Sequence, residues 1–217
     1  MATGDLLYND GEREILKRVL VPPEDAAAEA LAIYLARQKF TIHAGTPGVD
    51  ELSRAREFCL EAVTTEWPKA DARMAYPSAT IIGGDDTVHA GGLPVPLEQT
   101  FDDIAGTVAW HLGVASGTFQ VDFWSDSIPT RQAIAARLPG LFSPSEDRAG
   151  ILLELSPHYL CLAARFTLMS KGRQETADTV WAGEHRLRAV VGWEVPDVEL
   201  RRARQFRMRT PTAVETA

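Results

Sequence analysis

The chain has 217 residues, with 22 Lys+Arg against 30 Asp+Glu, a formal net charge of −8 at pH 7 and 45% hydrophobic content. These figures exclude a mainly disordered chain and suit one domain able to bury a sizeable core. They also exclude a general nucleic-acid binder, which needs clustered Lys and Arg, and two distant cysteines, Cys59 and Cys161, exclude a disulfide framework and point to a reducing compartment.

The first thirteen residues carry Asp5, Asp10 and Glu12 where a secretory signal would be basic and then apolar, so no leader is expected. From Pro22 to Gln38, prolines at the start, acids in the first turn and an alanine-rich body predict a helix. A second helix is predicted over Asp50–Trp67, where Leu52, Ala55, Cys59, Ala62 and Val63 recur at helical spacing before Pro68. Cys59 then sits on the apolar stripe as a small buried hydrophobe.

Ala79–Ile82 reads as a strand, and the glycines and prolines of 83–99 as a long loop. The longest uncharged run, Ile104–Val121, is too rich in Gly and Ser for a membrane span. It is expected to hold a strand, Ile104–Ala115, that turns at Ser116-Gly117 into a partner, Thr118–Trp124. In that partner the period of two places Phe119, Val121 and Phe123 in the core and Gln120, Asp122 and Trp124 on the other face.

Ser127 is placed to cap a helix whose body is Arg131–Leu141, with Pro139 ending or kinking it. Four strands are expected after it: Ile151–Leu155, Tyr159–Met169, Glu184–Val195 and Val198–Arg207. Turns are expected at Pro157, Lys171-Gly172 and Pro196-Asp197, and a loose tail over Arg209–Ala217. In the third of these strands, Leu187, Ala189, Val191 and Trp193 alternate with Arg186, Arg188 and Val190, which predicts one packed face and one polar one. The resulting fold class is α+β: an antiparallel sheet flanked by helices in one domain over 1–208, with a helical part over 1–70 and a β-rich part over 74–208.

The chemistry-bearing motifs are few. No phosphate-binding glycine loop is present, Gly113-Val-Ala-Ser116-Gly117 has the wrong spacing for a nucleophile elbow, and the five histidines are scattered singly. Gly83-Gly84-Asp85-Asp86-Thr87-Val88-His89 is the one stretch that could offer oxygen ligands to a hard cation, through Asp85 and Asp86 with His89 nearby. Charge is uneven: residues 165–217 hold 10 basic and 7 acidic residues, against 12 and 23 in residues 1–164. The basic run Arg201, Arg202, Arg204 and Arg207 on a terminal strand, with Trp193 on the neighbouring one, forms a candidate contact with the acidic body of another copy.

The segment Phe119–Leu138 resembles the tail terminator and neck proteins of tailed bacteriophages. In that family a strand ending in a Val-Asp-x-Trp-[Ala/Ser]-Asp pattern leads into a helix of Ala, Arg and Leu, with further strands after a turn. Val121, Asp122, Trp124, Ser125 and Asp126 match the strand end, and Arg131, Ala133, Ala135, Ala136 and Leu138 match the helix. Tyr76-Pro77 before an apolar strand resembles the pattern upstream. The resemblance spans about residues 74–170, and the N-terminal 70 residues exceed what the smallest members need.

The resemblance implies a virion structural subunit, assembled in the host cytoplasm into a ring commonly of six copies. That ring closes the tail and joins it to the head, and genome DNA passes through its lumen without specific binding. Its partners would be its own copies, the tail tube and the neck or connector proteins, with no enzymatic activity and no cofactor. Two other classes stand beside this reading: a small cytosolic enzyme or metal-binding protein using the Gly83–Gly92 loop, and a non-catalytic adaptor binding through the C-terminal strands.

Overall fold

The computed structural model describes residues 21–43, 55–66, 75–84, 87–102, 107–143, 150–174 and 183–202. In chain order these form α1 (Pro23–Ala36), β1 (Phe40–His43), β2 (Ala55–Phe58), β3 (Ala62–Thr64), β4 (Ser78–Gly83), β5 (Val88–Asp102), β6 (Thr107–Ser125) and α2 (Ile128–Phe142). After these come β7 (Ile151–Glu154), a 3-10 turn (Pro157–Tyr159), β8 (Ala163–Arg173) and β9 (His185–Arg202). The fold is α+β, a mostly antiparallel sheet with helices against it, as the alternation of the sequence predicts.

Two long strands organise the sheet. β6 and β9 run antiparallel from Thr107↔Arg202 to Ser125↔His185 with a single irregularity near Leu112. The far side of β6 is taken first by β4 (Ser78↔Trp124 to Gly83↔Phe119) and then by β5 (Val88↔Ser116 to Asp102↔Thr107). Gly84 donates its N–H to the Thr118 carbonyl at 2.8 Å and carries the ladder across the junction. β8 covers β9 only from Leu187 to Glu194, β7 covers β8 only from Ala163 to Phe166, and β3 adds a parallel edge to β4. Among the described residues, one end of β6 and β9 therefore lies inside a broad sheet, whereas the other end, with β5, forms a three-stranded arm.

The core lies on one face of the broad end. Ala79 and Ile81 of β4, Phe119, Val121 and Phe123 of β6, and Leu187, Ala189, Val191 and Trp193 of β9 are all buried there, matching the period-two reading of these strands. α1 closes over them with Ala26, Ala27, Ala30, Leu31 and Leu35, and α2 with Ile134, Leu138, Leu141 and Phe142. Small alanines on α1 let its backbone approach the sheet closely, and Tyr34 ties the helices together by donating to the Leu141 carbonyl at 2.8 Å. Ser127 caps α2, its Oγ accepting from the Thr130 N–H at 3.4 Å. α2 runs past Pro139 to Phe142, so the donor that proline lacks falls in the last turn.

Several expectations are corrected. The helix expected over Asp50–Trp67 is replaced, in its described part, by β2 and β3. β2 pairs with β1 (Phe40↔Phe58), and Phe40 stacks on Phe58 with centroids 5.5 Å apart, so long-range pairing overrides local periodicity. Cys59 is exposed, not buried.

The stretch read as a long loop after Gly83 is mostly β5. The turn expected at Ser116-Gly117 does not exist: β6 passes straight through it, because Gly117 faces Trp193 and a Cβ there would stand 2.9 Å from the indole. Lys171-Gly172 lies inside β8, whose first strand residue is Ala163, after the 3-10 turn at Tyr159.

Pro196-Asp197 lies inside β9. The Pro196 carbonyl accepts from the Tyr159 hydroxyl at 3.0 Å, so the residue's backbone polar edge, including its missing N–H, points away from β6 and costs no ladder bond. The expected tail, Arg209–Ala217, lies outside the described residues.

Candidate assembly surface

The strand-to-helix junction that carries the phage-like pattern is built around a buried carboxylate. Asp122 is fully buried on the sheet face opposite the helices, where Thr80 and Arg188 are its cross-strand neighbours. Arg188 donates through Nε to Oδ1 at 2.9 Å, Arg186 donates to Oδ2, and Gln120 Nε2 reaches Oδ2 at 2.8 Å. The Arg186 guanidinium also lies 4.5 Å above the Trp124 ring centroid. Burial alone would raise the Asp122 carboxyl, but the bonds from Arg188 and Arg186 outweigh it and hold the group below its ordinary value. One step on, the Ser125 hydroxyl donates to the carbonyls of His185 at 3.1 Å and Ser127 at 3.3 Å, fixing where β6 ends and α2 begins. Asp122 and Trp124 do face away from the helices, as expected, but they are packed, so this strand end is buried on both faces.

A second anchor lies at the entry to β4. Tyr76 donates to Glu184 Oε1 at 2.6 Å, and burial together with that bond pushes its phenol up to about 12. At the β4–β5 junction, Thr87 donates to Glu24 Oε2 at 3.2 Å, so the first turn of α1 holds the base of the arm.

The arm presents a different surface. Val88, Leu93 and Val95 of β5 are 59, 89 and 52% exposed, and Val114 of β6 adds to them at 38%. His89 Nδ1 lies 2.9 Å from Asp197 Oδ2, linking β5 to β9 across β6, where Gly113 offers no side chain to obstruct it. A Cβ at Gly113 would run into the Ala90 carbonyl, and its φ of +156° suits glycine. At the other end of the sheet, Leu152 of β7 and Met169 of β8 are 57 and 63% exposed.

The residues singled out from the sequence are not brought together into one contact. Trp193, expected at an oligomer interface, is instead 2% exposed and stacked on Phe119 at 5.6 Å in the core. Arg201 and Arg202 belong to β9, paired with Val108 and Thr107, while Arg204 and Arg207 lie outside the described residues. The strand expected to begin at Val198 is the continuation of the one carrying Trp193, not its neighbour.

Of the candidate cation loop, Asp85 and Asp86 lie outside the described residues, and His89 is engaged by Asp197. Among the described residues no group of three or more His, Cys, Asp or Glu side chains could hold a metal ion, and no helix is long and apolar enough to cross a membrane. Ser116 sits mid-strand opposite Glu194 and Val88. An open cleft of about 450 Å³ between α2 and the β1–β2 pair is lined by Lys39, Thr41, Glu57, Ala133, Ala136 and Arg137, with Lys39 and Glu57 3.4 Å apart.

Sequence reasoning expected strands over Ile104–Ala115 and from Val198, which β6 and β9 contain, but missed β5. Its signal was present in Val88-x-Ala90 and Val95-x-Leu97, a period of two obscured by the glycines and prolines between them.

The chain matches no protein-family model and no curated protein. Among solved structures, it is similar to a chain described as part of the virion of native gene transfer agent (GTA) particle. The two are 13% identical, with a TM-score of 0.42 over 81% of this chain and 98% of the other, a likeness too loose to establish a common fold.

Proposed function

We propose that this chain is a structural subunit of a phage-like virion, a tail terminator or neck protein that acts by assembling with copies of itself into a ring. The observation that carries the reading is the arm: three strands that extend beyond the helix-covered core and display Val88, Leu93, Val95 and Val114. Exposed apolar side chains clustered on a projecting element are the usual mark of a surface completed by another subunit.

The phage-like pattern supports the same reading, because three of the matched residues at the strand end have a role in fixing the strand-to-helix junction. Asp122 gathers Arg186 and Arg188, Trp124 carries the Arg186 guanidinium, and Ser125 bridges β9 and the start of α2. A rigid junction suits a subunit that must repeat one geometry around a closed ring. In this reading the ring, of six copies as in the resembled family, closes the tail, contacts tube and neck proteins above and below, and lets DNA pass through an acidic lumen that does not hold phosphate. The arginines at 201, 202, 204 and 207 contribute charge that sets register and salt sensitivity.

The test is the mass of the purified full-length chain by light scattering across a concentration series. A closed ring gives a mass that stops rising with concentration at a fixed multiple of the subunit. Replacing Arg201 and Arg204 together with Ala weakens association mainly at low salt. A chain that remains monomeric throughout overturns the reading.

A further inference from the structure

Two stretches of open strand edge lie at opposite ends of the sheet, and they differ in charge. Among the described residues, β5 pairs only with β6, which leaves its outer edge open along Val88–Asp102. Among the described residues, β8 is covered on its outer side by β7 only as far as Phe166, which leaves its edge unpaired there from Thr167 to Arg173. β5 carries Glu98 and Asp102 and no Lys or Arg, whereas β8 carries Arg165, Lys171 and Arg173 and no acid. Each edge also has large exposed apolar side chains, Leu93 and Val95 on β5 and Met169 on β8.

Resting on the assembly reading above, we infer that the acidic, apolar β5 edge of one copy docks against the basic, Met169-bearing β8 edge of a second copy. The two surfaces are different and sit at opposite ends of one sheet, so the contact is head-to-tail: every copy both gives and receives, as ring closure requires. Pro94 and Pro96 lack the N–H donors that a continuous ladder along β5 would use. The contact therefore relies on side chains, with Leu93 and Val95 against Met169 and the net acidic β5 strand against the basic β8 strand, and the prolines oppose uncontrolled sheet extension. Lys171 already donates to the Ala135 carbonyl, which leaves Arg173 as the freer cation of the pair.

The test uses the full chain and two single variants, Leu93→Glu and Met169→Glu, with light scattering for size and circular dichroism for folding. Each variant alone should remain monomeric at concentrations at least tenfold above those at which the wild type assembles. Mixed in equal amounts they should form a dimer, because the intact β5 edge of the Met169→Glu copy meets the intact β8 edge of the Leu93→Glu copy. Should Met169→Glu perturb folding, Arg173→Glu replaces it, with the same expected complementation.

If the wild type assembles and the variants assemble equally well, or the mixture stays as monomeric as each variant alone, this docking mode is wrong while the assembly reading stands. A wild type that never leaves the monomer overturns both.

Discussion

The two ends of β6 obey the same backbone geometry and differ in everything attached to it. From Phe119 to Ser125 every residue is buried except Gln120, which is half-buried, with helices on one face and the Asp122 network on the other. At the arm end, burial alternates between Gly113 or Ala115 and the exposed Val114, and the neighbouring β5 is exposed from Val88 to Pro96. Strand pairing therefore extends beyond the helix-covered part of the core. One end of the strand is buried on both faces, and the other is buried at Ala109 and Ala115 and exposed at Val114.

Substitutions separate the two ends, and the largest effect belongs to the core. Phe123→Ala should cost about 3–5 kcal/mol in denaturant-unfolding experiments, the range for a large aromatic removed from a packed interior. A loss below about 1 kcal/mol would place Phe123 outside the core.

Next comes Asp122→Ala, which leaves Arg186 and Arg188 without their shared acceptor; their 16 and 29% exposure lets them turn partly to water. The expected loss is roughly 2–3 kcal/mol, below that of Phe123→Ala. The pH dependence has a definite sign. Because the folded-state value of Asp122 is lowered, its contribution is present at neutral pH and is lost as the pH falls through that lowered value, beneath the ordinary ~3.9 of an aspartate. Asp122→Asn should flatten the acid limb of a stability-against-pH curve, and an unchanged limb would remove Asp122 from the acid response.

Gly117→Ala marks the boundary between the ends: its methyl would meet the Trp193 ring at 2.9 Å and should destabilise by about 1–3 kcal/mol, read as a lowered melting temperature. The smallest effect belongs to the arm. Val95→Ser or Leu93→Ser should change subunit stability by less than about 0.5 kcal/mol, since both side chains already face water. A larger loss would mean that Leu93 and Val95, like Ala109, Ala115 and Val198, are packed within the subunit.

What the sequence disclosed divides along similar lines. Where a strand has one packed face, the period of two is visible, and the assignments of Phe119, Val121 and Phe123, and of Leu187 through Trp193, agree with the structure. Helix α1 is legible from its prolines, first-turn acids and alanines, and α2 from its Ser127 cap. The arm is harder to read because its glycines and prolines carry local turn signals that long-range pairing overrules. Gly117 is small to admit Trp193, Gly113 to admit the Ala90 carbonyl, and Pro196 is tolerated because its edge faces Tyr159.

The helical spacing of Leu52, Ala55, Cys59, Ala62 and Val63 was a coincidence in its described part, where pairing with β1 and β4 decides the outcome. The junction at Asp122 was legible as a pattern but not as an ion network, since its arginines arrive from β9, more than sixty residues later. The exposed apolar residues of the arm could not be told from core residues by composition alone.

The long pairing of β6 with β9 has a mechanical consequence. Backbone hydrogen bonds in an antiparallel ladder lie perpendicular to the strands. A pull on β6 along its length with β9 held therefore loads the ladder from Thr107↔Arg202 to Ser125↔His185 in shear, with many bonds sharing the force, instead of peeling them one at a time. The pull is delivered directly to the strand segments clamped by α1, α2 and the Asp122 network. A subunit held by its arm thus resists tension along β6 far better than tension across it, an anisotropy that single-molecule pulling from two choices of attachment site would measure.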